Sequence, residues 1–126
     1  MSYEDEVVSR YYSLSSYKYQ FLESLSLRRS MEDRSSSEHY LNVQLSLVMA
    51  TFDQGYVDGK LNVVFDGVRN LQVGDLNGIL SFILEVRSLA GHQMEGLRFG
   101  VEETEYRALK FECFDVKVEV IREGEQ

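Results

Sequence analysis

The sequence predicts an α+β domain that is mainly antiparallel β, with one N-terminal amphipathic helix packed on a curved sheet of about six hairpin-connected strands. Three observations lead there. Apolar residues alternate with polar ones through most of the chain, turn residues recur too closely for crossover helices, and only the N-terminal segment carries a helical period. A sheet of this kind either stays open or closes partly into a barrel or sandwich. No linker or internal repeat divides the 126 residues, so the expectation is a single domain, 1–126.

The helix is read from "SYEDEVVSRYYSL". Ser2 can cap it, and Glu4, Asp5 and Glu6 place negative charge at its positive end. Val7, Tyr11 and Leu14 form one stripe, widened by Val8 and Tyr12. From Tyr19 the period changes to two, with Tyr19, Phe21, Leu25 and Leu27 interrupted by Glu23. Residues 28–38, "RRSMEDRSSSE", hold no apolar anchor except Met31 and are expected to form a mobile loop.

The clearest strand carries Leu41, Val43, Leu45, Leu47 and Met49, and Leu61, Val63 and Phe65 return after turn chemistry at Gly55 and Asp58-Gly59. Leu80, Phe82, Leu84 and Val86 form another strand. "AGHQMEG" turns the chain, and Leu97, Phe99 and Val101 come back. Leu109, Phe111 and Cys113 keep one phase while Val116, Val118 and Val120 keep the other. That slip at "CFDV" is expected to be a β-bulge within one long strand.

The glycines of "VVFDGVRNLQVGDLNG" could suggest a phosphate or calcium loop. Gly67, Gly74 and Gly78 fit neither GxGxxG nor GxxxxGK[ST], and Val86 stands where a calcium loop starting at Asp75 needs its glutamate. Gly67 and Gly78 each follow Asp or Asn and read as corners. His39 and His92 lie in no nucleophile–base pattern, and Cys113 shares a core-facing phase with Leu109 and Phe111. No catalytic residue, metal site or cofactor is expected.

Two features suggest contact surfaces. Glu102, Glu103 and Glu105 make the densest acidic cluster, placed at a turn and read as an acidic surface. Val48, Phe52, Val64 and Ile83 are apolar on the phase opposite the core face of their strands. If those strands are neighbours, they form an apolar patch expected to mediate homodimerisation unless the sheet closes over it. The formal charge of −8 disfavours nucleic acid and anionic membrane surfaces and favours a basic protein partner. No run approaches the ~20 apolar residues of a membrane helix, the first residues lack a signal-peptide pattern, and one cysteine cannot form an internal disulfide. A cytoplasmic location follows as the expectation.

"LNVVFDGVRNLQVGDLN" followed by "LKFECFDVKVEV" resembles small bacterial β-rich proteins such as the immunity protein 50 family of polymorphic toxin systems. The likeness spans about residues 61–120 and consists of strand and turn chemistry; the His-Asp pair often found near the start of such proteins is absent. It implies a non-enzymatic protein-binding module that neutralises a co-encoded toxin. The alternative is a small-ligand-binding β protein with a pocket lined by Tyr and Phe. A hydrolase or isomerase using His39 or His92 ranks below both.

Overall fold

The computed structural model describes residues 2–15, 19–34, 38–51, 60–79, 81–89 and 98–121. Among them are one helix, α1 (Tyr3–Ser15), and eight strands: β1 (Tyr19–Arg34), β2 (Glu38–Thr51), β3 (Lys60–Asp66), β4 (Arg69–Val73), β5 (Leu84–Ser88), β6 (Phe99–Glu103), β7 (Leu109–Cys113) and β8 (Asp115–Ile121). They form two four-stranded sheets, ordered β1-β2-β3-β8 and β4-β7-β6-β5, with every paired neighbour antiparallel. The expected class holds, but the single curved sheet is two facing sheets that do not close into a barrel. No described helix is long and apolar enough to cross a membrane.

Alternation explains the core. β3 buries Leu61, Val63 and Phe65 and turns the residues between them outward. Leu45 and Leu47 of β2 and Leu109, Phe111 and Cys113 of β7 are likewise sealed between the sheets. Phe65 of one sheet meets Phe111 of the other edge-on, with ring centroids 4.9 Å apart.

The phase slip at "CFDV" is neither a bulge nor a hairpin. Cys113 ends β7 in one sheet, Asp115 begins β8 in the other, and Phe114 is the one residue spent on changing sheets. The chain makes the same change between β3 and β4. Asp66 and Gly67 turn the strand, and Val68 re-enters the core. The two corners lie together, because β3 pairs with β8 and β4 with β7. The Phe114 N–H donates to the Asp66 carbonyl at 2.8 Å, and the Gly67 N–H donates to Asn42 Oδ1 at 3.1 Å. Gly67 (φ 67°) and Gly78 (φ 84°) both adopt the left-handed conformation, as expected of corners.

Residues 28–38 depart from expectation. β1 continues to Arg34 and β2 starts at Glu38, in register from Arg28 opposite Gln44 to Arg34 opposite Glu38. A two-stranded ladder pairs the backbone groups along its seam and leaves the outer ones to water, so a polar sequence can extend it. Leu27 and Met31 are correspondingly 49% and 66% exposed on this arm. Glu23 is the unpaired residue of a register shift between Leu22 and Ser24, and its carboxylate accepts from Lys60 Nζ at 2.6 Å. The turn residues 52–59, and with them Gly55 and Asp58-Gly59, lie outside the described residues, as do Leu80 and 90–97.

α1 begins as the sequence predicts, with the Asp5 N–H donating to Ser2 Oγ at 3.1 Å. Its apolar stripe packs on the core: Tyr11 is buried, and Val7, Val8 and Leu14 are half-buried. The helix lies against β8 of one sheet and β5 of the other. At β5, an edge strand, two tyrosines take the place of a neighbouring strand. Tyr11 Oη donates to the Leu84 carbonyl at 3.0 Å; Tyr12 Oη donates to the Val86 carbonyl at 3.2 Å and accepts from its N–H at 3.0 Å. Tyr12→Phe is therefore expected to cost about 1 kcal/mol in urea unfolding. A loss of only a few tenths would mean that water replaces the hydroxyl fully.

Candidate protein-binding surface

The described residues offer little to catalysis. Cys113 is fully buried, and its thiol is pushed far up from its ordinary pKa, first by burial and then by repulsion from Asp115, Asp66 and Glu112. A thiol in that state is a core group rather than a nucleophile. His39 occupies a ladder position opposite Asp33 on the β1–β2 arm, and His92 lies outside the described residues. No group of three or more His, Cys, Asp or Glu side chains that could hold a metal occurs among the described residues. Asp75 makes a local turn instead, its Oδ1 accepting from the Asn77 N–H at 2.9 Å.

The three glutamates read as one acidic surface separate. Glu103 is a correction: it is 0% exposed, not a surface residue. Its Oε2 accepts from the Glu105 N–H at 2.7 Å, and its Oε1 from the N–H groups of Tyr106 and Ala108 at 2.8 and 3.1 Å. The turn after β6 wraps around this carboxylate. The signal was available, because Glu103 continues the core-facing phase of Phe99 and Val101. Glu105 is exposed in that turn. Glu102 faces outward, directly opposite Glu85 on β5 and Lys110 on β7.

A second like-charged pair stands at the corner, where Asp66 of β3 is opposite Asp115 of β8. Lys117 reaches Asp66 only at 3.8 Å and is 70% exposed, so it offsets little of the repulsion. Around the same corner Tyr3 Oη donates to Asp115 Oδ1 at 2.7 Å, which raises the Tyr3 pKa, with desolvation adding to it. The Arg98 guanidinium lies 4.4 Å from the Phe114 ring centroid and 5.6 Å from that of Tyr3, with Glu4 3.8 Å from its Nε. Both rings are partly exposed. Sequence reading missed this cluster because its members are distant in the chain.

The apolar residues expected to form one patch do not all share a face. Val48 and Val64 are diagonal neighbours on the outer face of β2 and β3, since Val48 pairs with Asn62 and Val64 with Ser46. Both are half-buried among small or polar neighbours. Ile83 does not join them, because the segment leading into β5 belongs with the other sheet. Phe52 lies outside the described residues. Among the described residues, the outer face shared by β2 and β3 carries two of the four, Val48 and Val64.

The described surface thus carries acidic side chains and partly exposed aromatic rings, and the one thiol is sealed in the core. A family model, Immunity protein PIM8, matches residues 3–119, and the chain belongs to that family. It is an immunity-type protein. The family implies a protein partner such as a toxin and suggests a non-catalytic function. The likeness to the immunity protein 50 family thus gave the right kind of protein and a different family. No curated protein and no solved structure matches the chain.

Proposed function

We propose that this protein neutralises a basic toxin in the cytoplasm by binding it directly through acidic side chains on its outer faces, without catalysis. The observation that carries this reading is the pairing of like charges. Glu85 stands opposite Glu102, and Asp66 opposite Asp115. Carboxylates placed directly across a ladder destabilise it. A cationic partner surface turns that repulsion into attraction, and the overall charge of −8 steers such a partner inward. Family membership supports the toxin as partner.

Glu85→Lys tests the idea because it separates binding from folding. Facing Glu102, the new lysine makes an attractive pair, so the variant should be more stable by about 0.2–1 kcal/mol. Its affinity for the toxin encoded beside it should fall about tenfold at low salt, mostly through slower association. Wild-type binding should weaken as salt rises. A stabilised variant with undiminished, salt-independent binding would remove the acidic surface from the interface.

A further inference from the structure

A cavity lined by described residues lies between α1 and the two sheets, and of its lining the immunity reading uses only Glu85 at the rim. It measures about 440 Å³, within the roughly 300–1,000 Å³ typical of small-molecule sites. Its floor is Met49, Leu61 and Val63 from the inner face of one sheet. Phe82 and Ile83 form the opposite wall, on the approach to β5. Tyr11 and Tyr12 of α1 close the helix side with their rings.

The chemistry of these walls selects the occupant. The two tyrosine hydroxyls are committed to the backbone of Leu84 and Val86, so each offers the cavity a ring rather than a polar handle. The Gln20 oxygens are tied as well: the side-chain oxygen accepts from Ser81 Oγ at 3.2 Å, and the carbonyl from the Phe82 N–H at 2.7 Å. Among the described residues, no lysine, arginine or histidine lines the space. An anion there would meet no cationic side chain among the described residues, with Glu85 close by. A cation would find only the carboxylate of Glu85, which is exposed and solvated.

We propose that this cavity binds a small, uncharged, largely apolar molecule between the tyrosine rings of α1 and the Met49–Leu61–Val63 floor. The proposal does not rest on toxin binding: its apolar walls are core residues, and only Glu85, exposed at the rim, is shared with the proposed toxin surface.

The test uses the full-length protein and no toxin, so its failure leaves the immunity reading intact. Wild-type protein is titrated with N-phenyl-1-naphthylamine, an uncharged probe, and in parallel with its sulfonated anionic analogue. The expected result is saturable fluorescence with one uncharged probe per chain and weaker binding of the anion. Methyl resonances of Met49, Leu61 and Val63 should shift on titration. Ile83→Trp, which fills the cavity from a half-buried position, should weaken the probe about tenfold. Tyr106→Trp, on an exposed turn, should leave it unchanged; the chain has no natural tryptophan to confuse the two signals. Absence of saturation, shifts confined to other methyls, or undiminished binding to folded Ile83→Trp would overturn the proposal. Anion binding as tight as the uncharged probe's would overturn its charge selectivity. If Ile83→Trp does not fold, the wild-type methyl shifts decide the matter alone.

Discussion

Gly67→Ala is expected to lose about 2–4 kcal/mol in urea unfolding, whereas Gly78→Ala should lose only about 1 kcal/mol. Both glycines have positive φ, 67° and 84°, so both substitutions carry the left-handed penalty of about 1 kcal/mol. They differ in what a methyl group meets. At Gly78 nothing lies within 4 Å of the added carbon; at Gly67 it would lie 2.8 Å from Phe114 Cβ and 3.5 Å from the Phe114 nitrogen. Phe114 cannot retreat, because its N–H is bonded to the Asp66 carbonyl on the same corner. The overlap is relieved only by moving one sheet against the other, which adds about 1–3 kcal/mol of overpacking strain. A double-mutant cycle isolates that contact. Phe114→Gly removes the opposing Cβ, so Gly67→Ala should cost distinctly less in that background. Equal losses at Gly67 and Gly78 in the wild-type background would show that the corner yields freely.

The same corner marks where sequence reading stopped. Alternation located the major strands, since one buried face imposes a period of two wherever it occurs. It also placed Gly67 and Gly78 at corners and found both the helix cap and its stripe. It did not see that the chain changes sheets. A one-residue slip at Phe114 looks locally the same whether a strand bulges or bends into another layer. The distinction lies in Gly67, 47 positions earlier, making the matching slip on the paired strand. Ile83 was misgrouped for the same reason, because a phase says which way a residue points but not in which sheet. The β1–β2 arm was missed in the opposite direction. Its outer half continues the backbone register from Arg28 opposite Gln44 to Arg34 opposite Glu38, over a β1 sequence with little apolar periodicity to read.

The candidate site was less legible still. Exposed carboxylates and half-buried valines look alike in sequence whether they meet a partner or water. Only the ladder register shows that Glu85 faces Glu102 and Asp66 faces Asp115. Neither pair could be read from spacing, because the partners lie on different strands.

Glu103→Ala is the other substitution with a large expected effect, a loss of about 3–5 kcal/mol. Three backbone N–H groups converge on this carboxylate, and Ala108, the last of the three donors, is itself buried. Truncation leaves these donors unpaired in a turn that also holds Arg107 at φ 53°. Hydrogen bonds to a charged group are each worth about 1.5–3 kcal/mol, and partial relaxation of the turn keeps the total below their sum. Glu103→Gln separates the carboxylate from its shape. The amide keeps an oxygen for Tyr106 and Ala108 but turns an NH₂ toward the Glu105 N–H, donor against donor. Its loss should be smaller than that of Glu103→Ala, about 1–3 kcal/mol. Because Glu103 reaches no partner, the folded Gln variant should keep wild-type affinity for the toxin, unlike Glu85→Lys. Toxin binding lost by a folded Gln variant, or an alanine variant as stable as wild type, would overturn the structural role of this residue.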